Sequence, residues 1–460
     1  MSDLPPGWEW AKLRDIVTRI EAGKSFTCDP RPARNDEWGV IKVSAMTWGE
    51  FRESENKAVP AGKDIDPRHE IAPGDLLVSR ANTVEYVGAP VLVHSCRPRL
   101  LLSDKSLRLV VADEIDRKWL LHALSSPSIR RQVSQRSTGQ QESMRNISQQ
   151  ALLDMDIPVP PLAEQRRIVT AVEKELSRLE AGRGYLQGAA ARGLPLRRSR
   201  LMAFREEVLR AGAVQIPLGE LADTSLGKML DAKRSAGEPS PYLRNINVRW
   251  GSVDLTNVER VPLESSERTR FALKPGDLLV CEGGEPGRCA VWRDSREMAY
   301  QKALHRVRVS ERVLVDWVAL MLEESVRNGR INKLLTGTTI KHLPQEKLRT
   351  IFIPVPELEL QRSAISRFAE LDVSLGAIGQ SVAYADRRAE RLREALLVEA
   401  FAGRLVEQDP ADEPASELLA RIRAQRVVVP KQRGRRTAKE LAAPATRAIG
   451  TDFQQGELPL

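Results

Sequence analysis

Sulfur and imidazole are scarce in this chain. Only 4 cysteines and 5 histidines occur among 460 residues. Cys28, Cys96, Cys281 and Cys289 form no C-x-x-C pair, and with so few histidines they build no metal-ligand pattern. A reduced, cytoplasmic compartment is the expectation. Apolar runs such as 100–102 and 427–429 are far short of a membrane span, so no membrane partner is expected. Residues 1–10 lack the basic start and apolar stretch of a secretory signal. Nucleotide chemistry is equally thinly marked. No G-x-x-x-x-G-K-[ST] loop occurs, because Gly23-Lys24-Ser25 lacks the upstream glycine. There is also no Asn-Pro-Pro or Asp-Pro-Pro, which an amino-methyltransferase would need to hold a flipped base. Gly283-Gly284-Glu285-Pro286-Gly287 is glycine-rich, but a proline stands where a helix should open, so a tight turn is the better reading. His305 and His342 have no Cys or Asp at a telling distance. These absences argue against a catalytic site: none is expected in this chain, and no cofactor and no metal.

What is present is positive charge and self-similarity. The formal net charge is +9, which is compatible with a polyanionic partner. Pro158-Val159-Pro160-Pro161-Leu162 recurs as Pro354-Val355-Pro356-Glu357-Leu358, 196 residues on. Pro73-Gly74-Asp75-Leu76-Leu77-Val78 recurs as Pro275-Gly276-Asp277-Leu278-Leu279-Val280, at an offset of 202. Gln165-Arg166 matches Gln361-Arg362, Thr138-Gly139 matches Thr336-Gly337, and Ala203-Phe204 matches Ala400-Phe401. A period of about 200 residues is far beyond that of solenoid repeats, so the repeated unit is a whole domain with an appendage. Asp75 and Asp277 recur inside Pro-Gly-Asp turns, and turn chemistry accounts for them.

Each copy has the same order of parts. Short apolar runs broken by Gly, Pro and Asp come first: 39–43, 76–78, 90–93 and 107–111, then 278–280 and 305–309 in the second copy. They read as strands. A short amphipathic segment follows, 117–124 or 315–324, expected to be helical. The Pro-Val-Pro turn then opens a long stretch rich in Ala, Glu, Arg and Leu. In the second copy Phe368, Leu371, Leu375, Ile378, Val382, Ala385, Ala389, Leu392 and Leu396 alternate in spacings of 3 and 4. That is the narrow apolar seam of a helix facing a partner helix. The first copy repeats it through Ile168, Val172, Leu176, Leu179 and Leu186, with Pro195 expected to break or kink the helix. The two seams occupy equivalent positions, and their pairing with each other is expected. The fold class expected is therefore α+β: two tandem similar globular units of mixed α/β content, separated and followed by long helices.

The globular units share framework strings and differ in polar decoration. Trp48-Gly49 and Trp250-Gly251 suggest one turn in two variants. Base reading needs forked donors and amides, Arg for guanine and Asn or Gln for adenine. Candidate DNA contacts are Lys42, Arg80, Asn82 and Lys105 in the first unit. In the second they are Arg244, Asn245, Asn247, Arg249, Lys302 and Lys341. Phosphate contacts would supply most of the salt-sensitive affinity.

Several stretches carry a family resemblance. Lys42-Val43-Ser44-Ala45 with Trp48-Gly49-Glu50-Phe51, and residues 73–83, are similar to one subtype of the target recognition domain in the specificity subunit of type I restriction-modification enzymes. Tyr242-Leu243-Arg244 with Asn247-Val248, Gly283-Gly284-Glu285, Gly287-Arg288 and residues 300–305 resemble another subtype. Ile157-Pro158-Val159-Pro160-Pro161-Leu162 with Glu164-Gln165-Arg166-Arg167-Ile168 is similar to that family's entry into its spacer helix. The second copy has Leu360 where the first has Glu164. Residues 400–406 resemble the end of the second spacer; the first copy lacks the glycine of Gly403, so its helix is expected to run on.

The resemblance implies two target recognition domains, each reading half of an asymmetric bipartite site in double-stranded DNA. It implies that the spacer helices pair as an antiparallel coiled coil. Two DNA adenine methyltransferase subunits would dock there, and restriction subunits, ATP-dependent translocase and nuclease, would join them. S-adenosylmethionine, ATP and magnesium would belong to those partners. The domains expected are 1–160 and 214–356 for the two heads, 161–213 and 357–408 for the spacer helices, and 409–460 for a short helix with a basic, flexible tail around Lys431, Arg433, Arg435, Arg436 and Lys439. Other readings are a coiled-coil scaffold, or a specificity-like subunit of another methyltransferase-based phage-defence system.

Overall fold

In both copies the Pro-Gly-Asp turn begins a strand that sits at the centre of its head. Gly74 and Gly276 take φ values of +89° and +95°, a region that disfavours a side chain. The carboxylate after each glycine accepts from a backbone N–H three residues back, Ala72 at 2.9 Å and Lys274 at 2.7 Å. Asp277 also holds Arg308 at 2.6 and 2.9 Å, and Asp75 holds Arg108 at 2.9 Å. These carboxylates are committed to the turn and to the neighbouring strand. The structure is a computed structural model, and it describes residues 4–47, 49–139, 144–229 and 237–428, with only the backbone of residues 427 and 428.

The two heads repeat one topology. In the first, strands Val17–Ala22, Ser106–Val111, Leu76–Ser79 and Pro90–Leu92 lie side by side in that order, all antiparallel. In the second, Ala222–Leu226, Leu304–Val309, Leu278–Cys281 and Cys289–Val291 do the same. A smaller sheet joins Asn56–Ala58, Gly39–Ile41 and Leu100–Leu101, the last pair parallel. Its counterpart joins Glu259–Leu263, Glu238–Leu243 and Ala299–Tyr300, again with the last pair parallel. An antiparallel pair closes each head, Glu9–Lys12 with Asp156–Val159 and Val214–Pro217 with Phe352–Val355. Each expected strand is present, although run 39–43 gives way to a 3-10 turn at Val43–Met46.

The central strand of the second head is buried on both faces. Leu278 and Val280 face helix Val315–Arg327 and its Trp317, while Leu279 and Cys281 face the smaller sheet with Trp292 and Tyr300. Full burial of each such side chain contributes on the order of 1.5–3 kcal/mol. The amphipathic segments are helices Arg117–Ser125 and Val315–Arg327. One glutamine fastens each head to the long helix that follows. Gln165 accepts from the Asp116 N–H at 3.0 Å and donates to the Pro160 carbonyl at 3.0 Å. Gln361 repeats this with Leu314 at 2.9 Å and Pro356 at 2.8 Å. Both glutamines are fully buried, so satisfying all these groups decides whether burial costs or stabilises.

The chain divides into two units, Met1–Glu173 with Glu394–Leu460, and Lys174–Arg393. These limits cut the long helices Leu162–Ala191 and Leu358–Phe401, at places other than the head-and-helix limits expected from the sequence. Within the second unit the helices run antiparallel. Arg183 bonds Asp386 at 3.0 Å, Arg197 pairs with Asp372 at 2.9 Å, and Phe204 packs on Phe368 with centroids 5.9 Å apart. The first-copy helix is interrupted at Arg192, three residues before Pro195, and resumes as Gly193–Arg210. It runs on past Phe204, whereas its counterpart stops at Phe401.

Two seam residues are corrected. Ile378 is 40% exposed and Leu392 45% exposed, while Ala389 of the same seam is buried, as are Leu397 and Ala400. A straight α-helix drifts about 20° per heptad against a strict 3.5-residue repeat, so single positions of a strict seam can turn out to solvent between buried ones. Ile168, Val172 and Phe368 are buried, and Leu176, Leu179, Leu371, Leu375, Val382 and Leu396 half-buried.

In the first unit, helix Ala415–Val428 packs through Leu418, Leu419 and Ile422. Its Ala415 N–H donates to the Gly7 carbonyl at 2.9 Å, and Arg426 donates to the Val17 carbonyl at 2.7 Å. The basic run from Lys431 to Lys439 and Trp48 lie outside the described residues. Among the described residues no helix is long and apolar enough to cross a membrane.

Candidate nucleic-acid interface

One rim of each head is built as a ladder of backbone hydrogen bonds. In the first head Asn146 pairs with Ala81 and Arg145 with Asn82. The Ile147 N–H donates to the Arg80 carbonyl, and the Arg80 N–H to the Lys105 carbonyl. Ser103 then bridges Lys24. In the second head His342 bridges Gly283, Leu343 donates to Glu282, Glu282 donates to Ala303, and Lys302 donates to Lys228. The rim therefore brings together residues that the sequence scatters from 24 to 147 in the first head and from 228 to 343 in the second.

The first rim borders a groove of about 490 Å³ with Lys24, Lys42, Lys57 and Lys105 among its lining residues, together with Asp104, Phe26 and Cys28. Lys24, Lys57 and Lys105 are exposed, and none has a hydrogen bond or ion pair for its ammonium among the described residues. Lys42 is half-buried and lies 3.7 Å from Glu55. Arg80 is exposed with a free guanidinium among the described residues, whereas Asn82 has both ends of its amide occupied, by Ser79 at 3.4 Å and by the Thr83 N–H at 2.8 Å. The groove is a local positive potential facing solvent, suited to phosphate oxygens.

The second head keeps the frame and neutralises it from within. Lys228 stands where Lys24 stands and is paired with Glu267. Arg244 stands where Lys42 stands and is paired with Glu259. Glu259 occupies the position of Lys57 and also accepts from Tyr242 at 3.0 Å; burial, with that hydrogen bond, raises the Tyr242 pKa. Lys302 and Lys341 are exposed and unpaired among the described residues. Arg249 is exposed, 3.7 Å from Asp254, and Asn245 donates to Gly283 at 3.4 Å.

Of the candidates, Asn247 is corrected outright. It is 2% exposed, and its amide is consumed by the carbonyls of Asp254 and Asn257 at 3.0 and 2.9 Å and by the Arg244 N–H at 2.9 Å. It ties a turn and has no donor left for a base. Arg244 is held by Glu259 and the Asn257 carbonyl. Lys24 and Lys57 were not singled out by sequence. A charge reversal at the repeat offset, Lys57 against Glu259, was the signal available.

Trp48-Gly49 and Trp250-Gly251 share their turn as far as it is described, with Gly49 and Gly251 at φ +75° and +73°. Gly284 and Gly287 have positive φ, and the Gly287 N–H donates back to Cys281, so the glycine-rich stretch is a tight turn. Burial pushes the Cys281 thiol up to about 11 and Cys289 well above its ordinary range, so neither is poised as a nucleophile. His305 is buried, its Nε2 2.9 Å from the Leu343 carbonyl. No three His, Cys, Asp or Glu side chains gather as metal ligands among the described residues.

No protein-family model matches the chain. It is 35% identical over 189 residues to the type I restriction enzyme EcoEI specificity subunit of Escherichia coli, a match covering 41% of this chain and only 32% of that protein. It is 23% identical over 461 residues to the EcoKI specificity subunit of Escherichia coli strain K12, covering 92% of this chain and 96% of that protein. In fold it is similar to a chain from a structure of complex assembly and conformational transition in a type I R-M system, with TM-score 0.65 and 20% identity over 88% of this chain and 100% of that one. The HsdS subunit of Thermoanaerobacter tengcongensis follows at TM-score 0.53 and 21% identity, covering 88% and 98%. The resemblance carried by the repeated motifs is thereby borne out: the chain is similar over most of its length to type I restriction enzyme specificity subunits, and similar in fold to the solved chains above.

Proposed function

We propose that this chain is the DNA-reading subunit of a type I restriction-modification complex and performs no catalysis itself. Each head reads one half of an asymmetric bipartite site. The long helices pair as an antiparallel coiled coil, set the number of unread base pairs, and dock two DNA adenine methyltransferase subunits. ATP-dependent restriction subunits join that core in the cytoplasm. S-adenosylmethionine, ATP and magnesium serve those partners.

One observation carries the reading. Two heads share every framework device (the Pro-Gly-Asp turn, the sheet order, the buried glutamine) while the side chains along one rim differ in identity and charge. Different decoration on one scaffold is what reading two different short sequences requires. Free lysines around the first groove supply phosphate contacts, and counterion release makes such binding salt-dependent.

The test is a head exchange. Residues 214–356 are replaced by the head of another specificity subunit, and adenine methylation is mapped across the genome of cells that also carry the methyltransferase. One half of the methylated sequence changes and the other is retained. A simultaneous change in both halves sinks the modular reading.

A further inference from the structure

We propose that one reverse turn in each head reads a base edge in the major groove: the Asp104 carboxylate accepts from the amino group of a cytosine, and the Lys302 ammonium donates to a guanine. The proposal rests on the DNA-reading function above and names side chains that discriminate bases within it. In the first head the Ser106 N–H donates to the Ser103 carbonyl at 3.1 Å, so Asp104 and Lys105 form the tip of the turn. In the second the Leu304 N–H donates to the Gln301 carbonyl at 2.9 Å, and Lys302 and Ala303 form the tip. Lys24 bridges Ser103 as Lys228 bridges Gln301. The Arg80 N–H meets the Lys105 carbonyl as the Glu282 N–H meets that of Ala303. These bonds make Asp104 and Lys302 equivalent, 198 residues apart and opposite in charge.

Each turn is braced at its root. Ser103 and Ser106 are buried. The Ser103 N–H donates to the Ser106 hydroxyl at 2.8 Å, and that hydroxyl donates back to the Ser103 carbonyl at 2.9 Å. In the second head the Gln301 N–H donates to the Leu243 carbonyl at 3.0 Å, and the Lys302 N–H to the Lys228 carbonyl at 2.9 Å. The backbone is thus held while the tip side chains are left out. Asp104 and Lys302 are both exposed, and neither side chain has a hydrogen bond or ion pair among the described residues. Reading a base needs a side chain whose support is fixed to within about 0.5 Å and whose own bonding groups are unspent.

Charge selects the base. Lys24, Lys42, Lys57 and Lys105 line the groove that Asp104 also lines, and their field suits phosphate. A carboxylate there is repelled by the same phosphates, so it opposes non-specific binding. It gains only where a hydrogen-bond donor faces it. Cytosine N4 offers such a donor, whereas guanine and thymine offer only acceptors at their major-groove edges. Adenine N6 is a donor too, but the N7 lone pair beside it repels the second carboxylate oxygen. The ammonium of Lys302 inverts the preference, because guanine presents two adjacent acceptors, N7 and O6.

The test uses the chain assembled with its methyltransferase, comparing wild type, Asp104→Ala, Asp104→Asn and Lys302→Gln. Binding is read by fluorescence anisotropy on a labelled duplex carrying the site mapped from wild-type methylation and on a random duplex of equal length. Methylation is mapped across the genome for each variant. Asp104→Ala lowers the ratio of site to random affinity about tenfold, while random-duplex affinity rises because a charge that repels phosphate is gone. Asp104→Asn admits adenine at one position that wild type restricts to cytosine, since an amide matches adenine N6 and N7. Lys302→Gln relaxes a guanine position in the other half of the site. An equal rise on both duplexes with the methylated sequence unchanged makes Asp104 a solvated charge and overturns the proposal. A uniform loss in Lys302→Gln, with a shallower salt dependence and an unchanged sequence, assigns that ammonium to phosphate and overturns it for the second head. The DNA-reading function survives both results. A wild-type complex that does not distinguish the site from random duplex overturns the proposal and the function beneath it together.

Discussion

The two heads are one scaffold with opposite electrostatic habits. In the first, Lys24, Lys57 and Lys105 face a groove with no carboxylate paired to them, and its helix Arg117–Ser125 ends in serines, Ser125 and Ser126. In the second, Lys228 stands at the Lys24 position and is paired with Glu267, and Glu259 stands at the Lys57 position. There Glu323 and Glu324 take the places of those serines, buried at the end of Val315–Arg327. Glu324 meets Arg330 at 2.9 Å and Arg205 at 3.4 Å. Glu323 meets Arg327 at 2.6 Å and Arg197 at 3.0 Å. Charge around the first groove faces solvent without a partner among the described residues; in the second head much of it fastens the head to the helices beside it. Duplication preserved what makes the fold and released everything else.

The difference breaks most sharply at Glu324. Glu324→Ala strands the buried Arg205, whose guanidinium burial already opposes, and destabilises the second head by about 3–5 kcal/mol. Ser126→Glu buries a carboxylate with no cation supplied for it and harms the first head in turn. Hydrogen exchange in helices Val315–Arg327 and Arg117–Ser125 reports each effect locally; equal protection in wild type and Glu324→Ala contradicts it.

The groove comes next. Replacing Lys24, Lys57 and Lys105 together with Gln lowers DNA affinity about 10- to 100-fold at moderate salt and reduces the slope of log affinity against log salt by about one unit per lysine. Lys228→Gln and Arg244→Gln move that slope less, because Glu267 and Glu259 already neutralise those cations. Equal slope changes in the two heads would erase the distinction.

Much of the frame was legible because repetition marks it. The Pro-Gly-Asp turns, Trp119 and Trp317, and the Gln165–Gln361 match lie at near-constant offsets, and all prove to be buried or turn-forming. The rim was legible only in part. Lys42 and Lys105, named from the sequence, line the groove, but Asn247 and Arg244 look like base readers in sequence and are spent on a turn and an ion pair. Residue type states what a side chain can bond, and only the fold states which bonds are already made. The same limit explains Ile378 and Leu392: spacing fixes a helix face, but not which of its positions meets a neighbouring side chain.

A third prediction tests what the heads share. Gln165→Leu and Gln361→Leu each leave a buried N–H and a proline carbonyl unpaired, costing about 1–2 kcal/mol. The two effects should match, measured as the shift of urea midpoint for each. A loss at one joint only would show that the joints have diverged as the rims have.

The smallest effect is a pH dependence confined to one head. His305 is fully buried, and burial lowers its pKa below the ordinary value of 6.5; the Leu343 carbonyl and the carboxylates of Glu282 and Glu346 oppose the shift without cancelling it. The unfolded chain therefore binds the proton more readily than the folded one. Stability from this group is present above pH 6.5 and is lost as pH falls below it, by at most about 1.4 kcal/mol per pH unit until the folded pKa is passed. The first head has Leu107 at this position and should lack the dependence. Exchange protection of strands Leu304–Val309 and Ser106–Val111, followed from pH 7.5 to 5 and corrected for intrinsic rates, separates the two. His305→Leu should flatten the second profile onto the first, and a slope that survives that substitution assigns the acid sensitivity to another group.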